Sequence, residues 1–266
     1  MHDKLDRLKS LIGSYGSLAV AFSGGVDSSF LLKVASGIIG DNLLAITVNA
    51  QVCPAEEAGL AAKFCRDNGI RHMIIDFDVM QVEGFASNPE NRCYICKRAL
   101  FGKIKEAALR EGIGIIAEGT NSDDANDYRP GIKALEEMGM ASPLKEVGLT
   151  KKEIRELSRE MGLCTWNNPA HACLASRIPY GEEITTEKLK MVDEAEEYLR
   201  EEGVGQVRVR IHDRMARIEV MPNDFDKIMA NKDTIYARLE EIGFTYVSLD
   251  LKGYRTGSLN ETLNHG

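Results

Sequence analysis

The sequence predicts an α/β protein with a parallel sheet in its first domain and a smaller α+β domain at its C-terminal end. Three observations carry that expectation. An apolar run, Leu18-Ala19-Val20-Ala21-Phe22, leads through Ser23-Gly24-Gly25-Val26-Asp27-Ser28-Ser29 into a helical pattern at 30–35. Strand and helix patterns then alternate through the first half, and repeated β-α-β order gives a parallel sheet with helices on both faces. The tail changes rhythm to α-β-β-α-β, with strict alternation in its first two strands.

In chain order, 18–22 reads as a buried strand and 43–48 as the second strand candidate. Pro54 suits a helix start, and 55–68 is helical in pattern up to Gly69. Residues 72–76 are the third strand candidate, a helix covers 97–110, and 113–118 is the fourth strand candidate. Ligands of such sheets bind at the carboxyl ends of the strands, where Ser23, Asn49 and Gly119 lie. Thr150-Lys151-Lys152-Glu153 is a capping-box pattern, opening a helix that reaches about Met161 and stops at Gly162. From 164 to 181 periodicity is lost and two prolines intervene, which reads as an ordered loop with a functional role. The second domain is expected to begin near Pro179, giving domains of 1–178 and 179–266. It holds a charged helix at 186–202 closed by Gly203, then a hairpin of 207–211 and 215–220 around His212-Asp213-Arg214. A mostly helical stretch at 224–242 and a last strand at 244–249 follow, and 257–266 is polar and expected to fray.

A chain of 266 residues accommodates one large domain or two smaller ones. With 44% hydrophobic and 28% charged residues it has the composition of a soluble globular protein. Its net charge of -8 argues against broad nucleic-acid binding. No apolar stretch is long enough to span a bilayer and the first residues lack a signal-peptide core, so no membrane association and a cytoplasmic location are expected. Six cysteines are too sparse for a disulfide scaffold; in a reducing compartment they are free, metal-bound or catalytic.

A glycine-rich turn between strand and helix is a place to hold phosphate, because backbone N–H groups approach the anion and the helix N-terminus adds partial positive charge. Asp27 would repel that phosphate unless Mg²⁺ lies between them, which points to a metal-bound nucleotide. The loop lacks the lysine of a Walker A motif and the third glycine of a dinucleotide fingerprint. Gly119-Thr120-Asn121-Ser122-Asp123-Asp124 follows the fourth strand candidate and offers nucleotide contacts, with a carboxylate for Mg²⁺. Read alone it is a solvated Asn/Asp turn. Arg129 either holds a phosphate or carboxylate bidentately or is a plain surface arginine.

Cys93-Tyr94-Ile95-Cys96 is a CxxC flanked by Arg92, Lys97 and Arg98, cations that favour the thiolate. It reads as a metal hook, a redox pair or two cysteines at helical spacing. Cys53, Cys65 and Cys164 read as small core residues or inert loop thiols. Cys173 stands in the irregular loop with Arg177 nearby, as a nucleophile, a sulfur donor or the third ligand to a cluster with Cys93 and Cys96. Three thiolates on a [4Fe–4S] cluster leave one iron without a protein ligand, open to an extra sulfide. A structural zinc on the same cysteines with His171 is the alternative. In the hairpin, alternation puts Val207, Val209 and Ile211 on one face and Arg208, Arg210 and His212 on the other, with Arg217 and Glu219 facing outward from the return strand. That charged face suits a phosphorylated, carboxylate-bearing substrate. It also reads as a solvated sheet face or as a subunit interface, and a homo-oligomer is expected.

The pattern SGGVDSS resembles the PP-loop of the ATP pyrophosphatase superfamily. Those enzymes cleave ATP between the α- and β-phosphates, adenylylate a carbonyl or carboxylate oxygen and release pyrophosphate. Across most of the chain, AFSGGVDSSFLLKVA, EGTNSDDANDYRPG, SPLKEVGLTKKEIRELSREMGL, HACLASRIPYGEEIT and VRVRIHDRMARIEV resemble the LarE family, the sulfur transferases of nickel-pincer nucleotide biosynthesis. The resemblance implies adenylylation of a carboxylate of a pyridinium-3,5-dicarboxylate mononucleotide, then displacement of AMP by sulfur. Carried onto this chain, Ala21, Ser23, Gly24, Gly25, Ser28, Gly119, Thr120, Asn121 and Arg129 contact ATP, and Asp27 and Asp124 take Mg²⁺ and pyrophosphate. Arg208, Arg210 and Glu219 face the substrate, and Cys173 is the sulfur cysteine. The family chemistry has two versions: a cysteine that gives up its own sulfur, or three cysteines holding a [4Fe–4S] cluster with a replaceable sulfide. Cys93 and Cys96 beside Cys173 favour the second, with sulfide or another donor as partner. A tRNA thiolation enzyme and a non-catalytic nucleotide- or metal-binding protein are the competing readings. The net charge counts against the first of these, and the intact loop with Cys173 against the second.

Overall fold

In the computed structural model, which describes residues 1–126, 130–168, 172–255 and 257–259, helix α1 (His2–Tyr15) precedes strand β1 (Leu18–Ala21) and helix α2 (Val26–Ile39) follows it. The chain continues through β2 (Leu43–Asn49), α3 (Glu57–Asp67), β3 (Arg71–Asp76) and α4 (Arg92–Arg110). Next come β4 (Ile116–Ala117), α5 (Pro130–Glu137), α6 (Pro143–Glu146) and α7 (Lys151–Glu160). These elements belong to the first of two units, which comprises Met1–Ala50, Ala55–Val82 and Asn91–Ala170.

The sheet of this unit is all parallel, as expected, in the order β3-β2-β1-β4. Alternation along β1 and β2 divides their side chains between two layers. Leu18, Val20, Leu43 and Ala45 pack with Leu8, Phe30, Phe64 and Leu157 from α1, α2, α3 and α7. Ala19, Leu44 and Ile46 pack with Phe101, Ile104 and Leu135 from α4 and α5. Cover on both faces is why these strands read as unbroken apolar runs. From β1 the chain crosses to β2 on one side, while β4 pairs on the other. The switch point of the sheet, where α/β folds bind ligands, therefore lies between the loops that leave β1 and β4.

Two elements differ from the sequence expectation. Helix α4 begins at Arg92 rather than Lys97, because nothing from Arg92 to Cys96 breaks a helix; the CxxC thus forms its first turn. Strand β4 keeps only two residues of 113–118, and Glu118 becomes a loop anchor. The capping box of α7 is complete: Thr150 Oγ1 accepts from the Glu153 amide at 3.3 Å, and Glu153 Oε2 accepts from the Thr150 amide at 2.9 Å.

The second unit comprises Gln51–Pro54, Glu83–Glu90 and His171–Gly266. It contains α8 (Thr186–Glu201), β5 (Val207–His212), β6 (Met215–Val220), α9 (Phe225–Ala230), α10 (Lys232–Ile242) and β7 (Tyr246–Leu249). Strands β5 and β6 pair antiparallel from Val207↔Val220 to His212↔Met215, and β7 adds parallel to β6. The two short excursions from the first half brace the irregular loop. Leu174 N donates to the Val52 carbonyl at 2.9 Å and Ile184 N to the Ala86 carbonyl at 2.8 Å. Buried Asn88 donates its amide to the carbonyls of Pro179 at 2.6 Å and Glu182 at 3.0 Å. Among the described residues no helix is long and apolar enough to cross a membrane.

The charged face of the hairpin is not solvated. Arg208, Arg210 and Glu219 are only 7%, 6% and 0% exposed, so the charged face is covered at these three residues, with Arg217 half-buried beside them, and the reading of a solvated face is corrected there.

Candidate functional site

The loop after β1 has the geometry of an anion cradle. Gly24 has φ 72°, a left-handed conformation that favours glycine, and Gly25 caps α2 in extended conformation. No side chain caps the first turn of α2, so its amides face the loop unblocked. The serines organise the turn: Ser23 Oγ and Ser28 Oγ lie 3.2 Å apart, and Ser28 Oγ donates to the Gly25 carbonyl at 3.2 Å. Ala21 ends β1 just before this turn.

The loop after β4 presses against the same helix start. A Cβ on Gly119 would stand 3.1 Å from the Ser28 amide nitrogen and 3.2 Å from Asp27 Cβ, which only glycine avoids. Buried Glu118 fixes this loop, accepting from the Thr120 amide at 2.9 Å, Thr120 Oγ1 at 2.6 Å and Ser142 Oγ at 2.6 Å. Asn121 Oδ1 accepts from the Asp123 amide, and Asp124 Oδ2 accepts from the Asn121 amide at 3.0 Å. The expected nucleotide residues of both loops are thus brought together; Arg129 lies outside the described residues.

Asp27 sits where these loops meet. One of its carboxylate oxygens accepts from Lys151 Nζ; the other, Oδ1, is buried without a hydrogen-bond partner among the described residues. Burial pushes the Asp27 carboxyl up and the nearby Asp124 adds to that, while Lys151 and Arg155 oppose it. A buried oxygen with no donor, close to a second carboxylate, is a donor set that a hard divalent cation fits.

Cys93 and Cys96 stand one helical turn apart at the start of α4, the first exposed and the second half-buried. Their i, i+3 spacing puts them on one helix face as neighbours. Cys173 is exposed and belongs to the second unit, and His171 lies outside the described residues. Among the described residues no group of three or more His, Cys, Asp or Glu is poised to hold a metal ion. Of the remaining thiols, Cys65 is buried and pushed up to about 12 by that burial, as suits an inert core residue.

The second unit surrounds the Cys173 turn with buried charge. Arg177 pairs bidentately with Glu196, Nε to Oε1 and Nη2 to Oε2, both at 2.7 Å. Arg210 donates to the Ser176 carbonyl at 2.5 Å, Glu219 Oε2 at 3.1 Å and Ser258 Oγ at 2.7 Å. Glu219 also accepts from Arg217 at 3.1 Å, so its role in this arrangement is to hold arginines. Arg208 lies over the Tyr254 ring at 5.5 Å, and burial together with the Arg177 charge lowers it to about 10. Arg210 Nε is buried without a hydrogen-bond partner among the described residues.

Sequence reasoning missed Lys151 and Glu196. Lys151 was accounted for by the capping pattern, and its proximity to Asp27 follows only from folding. Glu196 sits in Glu194-Ala195-Glu196-Glu197, which reads as a solvated helix face.

Fold and loop together define a PP-loop α/β protein of the ATP-using kind. No family model matches the chain. Pyridinium-3,5-bisthiocarboxylic acid mononucleotide synthase of Lactiplantibacillus plantarum is 35% identical over 247 residues, covering 92% of this chain and 90% of that one. An uncharacterised protein of Synechocystis sp. is 41% identical over 265 residues, 99% of both chains. The glutamine-hydrolysing GMP synthase of Thermoplasma volcanium has a component that is 29% identical over 209 residues, 71% of this chain and 66% of that one. The chain belongs to the family of the pyridinium-3,5-bisthiocarboxylic acid mononucleotide synthases, the LarE sulfur transferases.

Proposed function

We propose that the protein uses ATP to replace carboxylate oxygen by sulfur in a pyridinium-3,5-dicarboxylate mononucleotide. Family membership supplies the substrate, and Asp27, with its buried unpartnered oxygen beside the glycine loop, is the observation in the site that carries the activation step. Ser23, Gly24, Gly25 and Ser28 cradle phosphate, and the loop of Gly119, Thr120 and Asn121 closes on it. Mg²⁺ held by Asp27 and Asp124 would neutralise the phosphate charge. A substrate carboxylate oxygen attacks the α-phosphorus, pyrophosphate leaves, and an acyl-adenylate forms.

Sulfur enters from Cys173. In the sacrificial version its thiolate attacks the acyl carbon, the acyl–oxygen bond breaks and AMP leaves with the electron pair; loss of the Cys173 Cα proton then breaks the Cβ–S bond, so the thiocarboxylate leaves with the sulfur and its electron pair and dehydroalanine remains. Arg208 and Arg210 are read as the substrate's anion partners: burial and a neighbouring cation disfavour the charge of Arg208, and Arg210 keeps a buried N–H without a partner. Both gain from an anion. In the other version the sulfur would instead be a replaceable sulfide on a [4Fe–4S] cluster, with Cys93, Cys96 and Cys173 as the residues that would hold it and no cysteine sulfur consumed.

The test is anaerobic incubation with ATP, Mg²⁺ and the pyridinium dicarboxylate mononucleotide, followed by assay of pyrophosphate and thiocarboxylate. Substrate-dependent release of both is expected. Pyrophosphate released only with tRNA, or under no condition, overturns the reading. Mass analysis of the Cys173 peptide then separates a sacrificed side chain, lighter by H₂S, from an unchanged one, and metal analysis separates iron from zinc.

A further inference from the structure

Arg177 is 2% exposed, the largest fully buried side chain among the described residues. A buried ion pair adds little net stability over a well-packed apolar replacement, so the pairing with Glu196 does not by itself explain a guanidinium here. Its free edge does. Nη1 donates to the Ala172 carbonyl at 2.7 Å, the Cys173 carbonyl at 3.1 Å and Ser176 Oγ at 2.9 Å. One planar cation therefore spans two successive carbonyls, that of the cysteine and that of the residue before it.

Glu196 fixes the other edge. Besides both arms of Arg177 it accepts from the Val209 amide on β5 at 2.9 Å, and Arg200 lies 3.6 Å away. The guanidinium is thereby registered to α8 and to the sheet, two rigid elements. Further bonds complete the turn: Ser176 N donates to the Cys173 carbonyl at 2.9 Å, Leu174 N to the Val52 carbonyl at 2.9 Å, and Arg210 Nη1 to the Ser176 carbonyl at 2.5 Å. The backbone on both sides of Cys173 is held, while its side chain is exposed.

We propose that Arg177, anchored by Glu196, is a positioning residue that sets the backbone of Cys173 for sulfur transfer. This rests on the reading of Cys173 as the sulfur-transferring residue. The arrangement confines the thiol to rotation about its own side-chain bonds, which is what an oriented nucleophile requires.

The test uses the full chain with Arg177→Lys, which retains charge while losing the bidentate fork, and Glu196→Asp, which retains charge while its carboxylate falls one methylene short of Arg177. Two readouts are taken: thiocarboxylate formed per pyrophosphate released, and amide hydrogen exchange over 172–178 against 207–220. The expected result is a fall of about tenfold or more in the product ratio, with exchange accelerated in 172–178 and unchanged in the strands. A product ratio equal to that of the unaltered protein overturns the proposal. So does unchanged exchange at 172–178, which is readable without turnover and in whichever variant folds. Absence of substrate-dependent pyrophosphate from the unaltered protein would instead overturn the proposed function, leaving the exchange measurement to decide the positioning role.

Discussion

Asp27 and Glu196 are carboxylates that each face a cation, the first half-buried and the second fully buried, yet they are treated oppositely. Asp27 has one oxygen on Lys151 and one with no donor among the described residues, and burial pushes its carboxyl up. Glu196 has both oxygens on Arg177 and a backbone amide besides. Burial alone would raise Glu196 as well, but the Arg177 guanidinium outweighs it and holds the carboxyl below its ordinary value. The difference separates a group left incomplete for a ligand from a group completed by the protein. In the proposed function, the first unit keeps that oxygen for the activation step. The second spends its buried charge on holding a loop still.

Substitutions at these two carboxylates should separate most sharply. Asp27→Asn is expected to lower substrate-dependent pyrophosphate release by about 10²-fold or more, as losses of preorganised electrostatic groups do, with little change in melting temperature. A large loss of stability instead would make Asp27 a scaffold group and erase the contrast. Glu196→Gln should behave the other way round, costing about 3–5 kcal/mol because it strands the Arg177 charge. Urea unfolding measures this, and a cost below about 1 kcal/mol would show the pair to be no lock.

The pH dependence of stability sharpens the same point. Glu196 has a folded-state value depressed below its unfolded one. Its contribution is therefore complete above the unfolded value, about 4.3 for a glutamate, and is lost as pH falls through the folded value. Melting temperature should drop on acidification below about pH 4.3, and the drop should be shallower in a folded variant lacking the Glu196 carboxylate. An identical acid limb in both would assign the acid sensitivity to other groups. The smallest expected effect is at the contact between the two nucleotide loops. Gly119→Ala should raise the KM for ATP about fivefold, since overpacking a tight contact costs about 1 kcal/mol at the low end, and an unchanged KM would show that the loop after β4 yields freely.

The first unit was legible because its signals are local: an apolar run, a glycine turn, a helix, then the same rhythm again. Strand order was not, since β4 pairing beside β1 depends on which faces α4 and α5 cover. The site was legible where one segment carries the chemistry, as in Ser23–Ser29. It was illegible where two distant segments meet. Lys151 already had a local explanation in the cap of α7, Glu196 looked like one more solvated glutamate, and Asn88 gave no signal at all. The arginines of β5 were seen, but strand alternation says only which face they take, not that the face is covered.

Lys151 is tied at two points. Its amide donates to Asp123 Oδ2 at 2.8 Å, and its side chain reaches Asp27. The amide bond belongs to the start of α7, so the ammonium can leave Asp27 by side-chain rotation alone while its helix stays in place. Rotamer changes take picoseconds to nanoseconds, against microseconds to milliseconds for collective rearrangements. In the proposed function, Mg²⁺ would therefore replace Lys151 at Asp27 without any movement of the loops around it.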